Sequence, residues 1–270
     1  MKIIFFGTPE FVVPIPQTLL EAGYEITAVV TRTESPVETW AKNHQIPVLT
    51  PETLNTSYHP DLGILAAYGK IIPQELIDLF PKGILVIHPS LLPQYRGASP
   101  VQAAILAGDT KTGVSIIKMD KEVDHGPIVS QFTEPIRPDD TSETLYARLF
   151  QKAADVLVTI LPDWVAGKIT PREQDHTQAT FTHILKREDG HIDLDNPPSP
   201  EVFARMVKAY SPWPGVWTRF LTGPDPVREK IIKFLPGEKI QVEGGEPMDI
   251  RDFLNGYPQA KKWLSNLFAL

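Results

Sequence analysis

Lys2-Ile3-Ile4-Phe5-Phe6-Gly7-Thr8-Pro9 opens with an apolar run of strand length that stops at a glycine, then offers a threonine and a proline suited to a helix start. A short run with no polar alternation reads as a strand buried on both faces, which belongs inside a parallel sheet. The pattern repeats along the chain. A helix from Pro9 to near Gly23 leads to a second apolar strand, Ile26 to Val30, and a helical stretch around Trp40 to Asn43 stops before Pro47. Leu62 to Ala67 and Ile84 to Ile87 are further strands, separated by a helix over Pro73 to Phe80. Gly113 to Met119 and Ile128 to Phe132 add two more. Strands alternating with helices predict an α/β domain on a mostly parallel sheet. Asp139 or Thr141 caps a long helix whose apolar face is Leu145, Leu149, Val156, Ile160 and Trp164.

The chain changes character at Asn196-Pro197-Pro198-Ser199-Pro200, a stiff polar breaker. Beyond it a helix over Glu201 to Tyr210 precedes short strands at Val216 to Leu221, Lys230 to Leu235 and Lys239 to Val242. Two domains follow, a catalytic one over 1–190 and a small β-rich one over 200–270. Charge divides in the same place: residues 200–270 carry 10 Lys/Arg against 8 Asp/Glu, and the rest carry 16 against 25. A net charge of −7 is the wrong sign for a general nucleic-acid binder.

Of the 270 residues, 42% are hydrophobic and 22% charged, the balance of a folded globular chain. The absence of cysteine excludes a disulfide scaffold, a thiol nucleophile and a cysteine-ligated metal. No apolar run approaches the ~20 residues that span a bilayer, and the N-terminal run is too short for a signal peptide. A cytoplasmic protein with no membrane partner is expected. There is no GxGxxG fingerprint and no P-loop, so neither NAD nor ATP is indicated. The histidines among polar loops, His176, His183 and His191, lack the spacing of a metal site, and none is expected.

Chemistry concentrates in Ile87 to Pro100, IHPSLLPQYRGASP. His88 lies just past the carboxyl end of a buried strand, where open α/β sheets bind ligands. Prolines stiffen the loop, and Leu91 and Leu92 stand in it as exposed apolar residues seeking a flat apolar partner. The plainer reading is a rigid connection with His88 hydrogen-bonded at a strand end. A second cluster, Asp120-Lys121-Glu122-Val123-Asp124-His125-Gly126-Pro127, follows the strand ending at Met119 and is expected at the same end of the sheet. Asp124 and His88 then meet as an acid/base pair, or else Asp124 bonds only its own turn. Trp213, Trp217 and Phe220 admit two readings, a stacking platform for nucleotides or the core of a small domain.

The string His88 to Pro100 resembles the signature loop of the folate-dependent formyltransferases. Gly7-Thr8-Pro9-Glu10-Phe11 and Ser211-Pro212-Trp213-Pro214-Gly215 narrow the resemblance to the methionyl-tRNA formyltransferase family, over nearly the whole chain. It implies a Rossmann-like domain followed by a small OB-like one. The implied reaction carries a formyl group from 10-formyltetrahydrofolate to the amino group of methionine on initiator tRNA, in a monomeric enzyme with no metal and no DNA partner. The family's catalytic histidine and aspartate match His88 and Asp124, and its folate-lining loop matches Ser90, Leu91, Leu92 and Pro93. The segment Ala66 to Ile72 is expected to offer backbone groups to the pterin edge, and Arg205, Lys208, Arg219, Lys261 and Lys262 are the basic residues expected on tRNA phosphates. Two features depart from the family pattern. Val86 stands where the family has an asparagine two residues before the catalytic histidine, and the segment between Val30 and Pro47 lacks the family's basic tRNA-contacting insertion. The alternatives are a formyltransferase acting on another amine, such as a nucleotide-linked amino sugar, and a non-catalytic folate- or RNA-binding relative.

Overall fold

The opening run forms strand β1 (Lys2–Gly7), buried from Ile3 onward in the computed structural model, which describes residues 1–54, 56–221 and 229–268. The helix expected at Pro9 starts later. Glu10–Val12 is a single 3-10 turn, and α1 runs over Pro14–Glu21. Proline physics explains the delay: a helix begun at Pro9 would carry Pro14 and Pro16 in its interior, whereas Pro14 fits the first helical position, where its missing N–H has no role. Next come β2 (Glu25–Val30), α2 (Pro36–Asn43), β3 (Val48–Leu49), β4 (Leu62–Ala66) and α3 (Gln74–Ile77). They are followed by β5 (Ile84–His88), β6 (Arg96–Gly97), α4 (Pro100–Ala107), β7 (Lys111–Lys118), β8 (Ile128–Pro135), α5 (Ser142–Val165) and β9 (Phe181–Thr182). The chain ends with α6 (Pro200–Ala209), β10 (Val216–Leu221), β11 (Glu229–Leu235), β12 (Lys239–Val242), β13 (Met248–Asp249), α7 (Ile250–Gly256) and α8 (Lys261–Phe268).

Two compact units result. One holds Met1–Pro100, Lys111–Pro135 and Tyr146–His183; the other holds Val101–Thr110, Ile136–Leu145 and Ile184–Leu270. The first unit is built on a seven-stranded sheet in the order β3-β2-β1-β4-β5-β7-β8. Strands β3 to β5 are parallel, so the Rossmann-like expectation holds, with the chain stepping to opposite sides of β1 for β2 and β4. Strands β7 and β8 run antiparallel. One apolar cluster sets Ile4, Phe6, Ala28 and Val30 against Tyr68, Phe80 and Ile84. Each buried aromatic of this kind contributes roughly 1.5–3 kcal/mol through burial.

Helix α5 buries Leu145, Leu149, Ala153, Leu157 and Leu161. The stripe keeps to steps of four, so Val156, Ile160 and Trp164, expected on that face, are only half-buried. In the second unit β10 to β13 form an antiparallel meander. Its core joins Phe203, Phe220, Phe234, Phe253 and Trp263 through edge and tilted ring contacts. Phe220 is therefore core. Trp217 lies under the Arg187 guanidinium and donates its indole N–H to the Arg187 carbonyl, while Trp213 is the exposed member of the three. No helix among the described residues is long and apolar enough to cross a membrane.

Candidate active site

His88 closes strand β5, paired with Ser115 of β7, and is buried with 5% of its surface exposed. Its Nε2–H donates to the carbonyl of Tyr95 at 2.9 Å. A carbonyl only accepts, so the neutral ring carries its lone pair on Nδ1. That nitrogen lies 3.4 Å from Asp124 Oδ2, and the same carboxylate oxygen accepts the Gly97 N–H at 2.8 Å. Asp124 thus reaches beyond its own turn, and the two residues expected to form an acid/base pair do face each other.

The route by which they meet differs from the expected one. Lys118, at the end of β7, pairs with Leu85 near the start of β5, so the segment after β7 begins at the opposite end of β5 from His88. Residues 119–127 turn back from there, and Met119 N donates to the Ile84 carbonyl at 2.8 Å as the turn begins. Gly126 permits it: a Cβ at this position would lie 1.9 Å from the Lys118 carbonyl oxygen.

The signature loop is anchored within the protein. Ser90, fully buried, donates through Oγ to the Gln94 carbonyl at 2.6 Å. Leu92 N donates to Ser115 Oγ, Ser115 Oγ donates to the Ser90 carbonyl, and Gln131 Nε2 donates to both Leu92 O and Ser115 Oγ. Every donor and acceptor of the Ser115 hydroxyl is used, which fixes the loop on β7 and β8. Leu92 is buried with Val86, Ile117 and Ile128, and Leu91 and Pro93 are half-buried, so the leucines expected to be exposed pack on the chain itself. The alternation along β5 places Val86 and His88 on one face.

A cavity of about 600 Å³ opens beside the Asp124 loop, walled by Ile77, Phe80, Met119, Asp120 and His125. Ser90 to Pro93 do not line it. Nor do His88 and Asp124; its lining mixes apolar and charged side chains, and among them His125 Nδ1–H donates to Asp120 Oδ2 at 2.7 Å. The His125 ring stacks flat on His176, with centroids 4.0 Å apart. Ala66 to Ile72 follow the end of β4, with Ile71 83% exposed and Tyr68 buried. Burial first, and then the charge of Glu52, push the Tyr68 phenol above its ordinary value, so it stays neutral.

Three residues that the sequence left unassigned complete the site. Arg96 is buried and donates through Nη2 and Nε to Gln174 Oε1, and through Nη2 to His176 Nδ1. Gln174 Nε2 donates to the carbonyls of Asp124 and Gly126. Gln174 and His176 sit some 50 residues beyond Asp124 in an irregular segment without periodicity, and only the fold brings them here.

A buried histidine facing a carboxylate, on a Rossmann-like sheet, is an arrangement that general acid/base chemistry uses. Residues 52–161 match the Formyl transferase family. A methionyl-tRNA formyltransferase of Chloroflexus aurantiacus is 44% identical over 237 residues, covering 81% of this chain and 76% of that protein. One from Koribacter versatilis is 35% identical over 301 residues, covering 95% and 96%. A sugar N-formyltransferase structure from a Shewanella species superposes with a TM-score of 0.71 at 19% identity, covering 87% of this chain and 96% of that one, which shows a shared fold. The chain belongs to the methionyl-tRNA formyltransferase family.

Proposed function

We propose that the protein transfers the formyl group of 10-formyltetrahydrofolate to the amino group of methionyl-tRNA, with His88 and Asp124 as the catalytic pair. The observation that carries this reading is His88 Nδ1 held 3.4 Å from Asp124 Oδ2, with Nε2 bonded to the Tyr95 carbonyl. The folate supplies an activated formyl carbon. As the neutral amine forms its bond to that carbon, the amine must lose a proton. His88 Nδ1 accepts it, and Asp124 stabilises the imidazolium so formed. The proton then returns to the nitrogen that leaves, so the pair ends as it began. The Tyr95 carbonyl keeps the ring from turning throughout.

Ser90 to Pro93 serve, in this reading, as the braced wall on the histidine side of the folate, within a catalytic domain over 1–190. The domain over 200–270 supplies tRNA contacts. Of the basic residues expected there, Lys208 donates to the Pro138 carbonyl, Arg219 pairs with Glu229, and the Arg205 guanidinium lies against Gly108. That leaves Lys261 and Lys262, both exposed, as the charges directed at phosphate.

The test is formyl transfer by purified protein from 10-formyltetrahydrofolate to methionyl-tRNA, with nucleotide-linked amino sugars as competing acceptors. Formylation of methionyl-tRNA and loss of it in His88→Ala are expected. Transfer to the amino sugar alone would replace the acceptor in this reading, and no transfer to either would leave a binding protein.

A further inference from the structure

We propose that Gln174 is a positioning residue that holds Asp124 against His88, an inference that rests on the reading of Asp124 as one of the catalytic pair. Asp124 adopts φ 52°, the left-handed region, where Cβ crowds the backbone of an L-residue. A turn crowded in this way keeps its shape when bonds from outside fix it. Gln174 provides them. Its Nε2 donates to the Asp124 carbonyl at 2.9 Å and to the Gly126 carbonyl at 2.8 Å, gripping the peptide on both sides of His125.

The other end of the same amide sets the orientation. Oε1 accepts from Arg96 Nη2 at 2.8 Å and from Arg96 Nε at 3.3 Å. A guanidinium only donates and peptide carbonyls only accept, so the amide cannot turn over. Arg96 begins β6, and the next residue, Gly97, gives its N–H to Asp124 Oδ2 at 2.8 Å. One buried side chain therefore ties together the loop that carries the carboxylate and the strand that receives it. The distance from Asp124 Oδ2 to His88 Nδ1 depends on both being held.

The informative variant is Gln174→Glu. It keeps the shape and the bond to Arg96, now an ion pair, but turns an oxygen without hydrogens toward two carbonyl oxygens. The clamp opens while the buried guanidinium stays paired. The expected result is a kcat about 10²-fold lower, the scale on which a misplaced catalytic group acts, with KM for both substrates changed by less than about threefold. Hydrogen exchange at the Gly97 amide should quicken about tenfold or more as its carboxylate partner drifts. A folded variant with wild-type kcat and wild-type Gly97 exchange overturns the proposal. So does a kcat loss no greater than that of Glu134→Gln, which is destabilised away from this loop. If the wild-type protein formylates no methionyl-tRNA, it is the functional reading that fails. Gly97 exchange then decides the clamp by itself: faster in Gln174→Glu supports it, unchanged refutes it.

Discussion

Val86→Asn places an asparagine two residues before His88, where the family resemblance expects one, and separates two demands on one position. Val86 is 7% exposed and shares an apolar cluster with Leu92, Ile117 and Ile128, flanked by Leu65 and Met119. An asparagine there gives up the buried branched side chain, about 1–2 kcal/mol of transfer free energy. It also leaves an amide without a partner, about 1–3 kcal/mol more. The unliganded variant should therefore be less stable by about 2–5 kcal/mol, read as a shift of the urea midpoint.

With substrates bound the balance changes. Positions 86 and 88 share a face of β5 two residues apart, roughly 6–7 Å along the strand. The new amide then points beside the imidazole, where the formyl oxygen gains negative charge. A well-placed donor at such an oxygen is worth about 10²–10³ in rate. A rise in kcat with KM for the folate little changed is the expected pattern, since the added interaction strengthens as charge develops. Val86→Ala serves as the control, with a comparable loss of packing and no donor; it should lose stability without gaining rate. Unchanged or lower turnover in a folded Val86→Asn protein would refute the geometry on which the catalytic reading rests.

Three further outcomes are expected. His88→Ala and Asp124→Ala should each lower kcat severely, and the double variant should be scarcely slower than the worse single, because residues acting as a unit are not additive; losses that multiply would separate the two roles. Glu134, whose burial alone would raise its carboxyl, is held below the ordinary 4.5 by hydrogen bonds and charge from Lys152 and Arg148. A depressed folded value adds stability that is complete above the unfolded value and is lost as pH falls through the folded one; Glu134→Gln should thus cost about 1–3 kcal/mol near neutrality, with the urea-midpoint gap closing below pH 4.5. Lys261→Glu with Lys262→Glu should weaken tRNA binding and flatten an already shallow salt slope, since few phosphates are neutralised; unaltered affinity would move the tRNA surface elsewhere.

The parallel half of the sheet was legible because its signal is local. A run such as Ile3 to Phe6 has one physical use, a strand covered on both faces, and the glycines and prolines after it mark the turns. The helix start at Pro14 was misread because Thr8-Pro9 is a good local cap signal, and the veto comes from prolines five and seven residues further on. His88 was legible for the same local reason as the strands, standing where a buried strand ends inside a proline-braced loop.

What was not legible is set by direction and by distance in sequence. A strand's apolar pattern is the same read either way along its neighbour, so nothing in Lys111 to Lys118 announces that β7 runs against β5. The reading that placed Asp124 near His88 by strand ends reached the right neighbour through the wrong end of the sheet. The carboxylate arrives because residues 119–127 double back, and that reversal is bonded by groups far away in the chain. Gly126 is tight enough to exclude any side chain, and Gln174 is turned by Arg96 so that its nitrogen meets two carbonyls. An isolated glutamine in an irregular segment carries no periodicity and no motif, so its part in the site depends on a fold that the sequence expresses only when all of it is present. The local strings supply the chemistry of this site, and the nonlocal bonds supply its geometry.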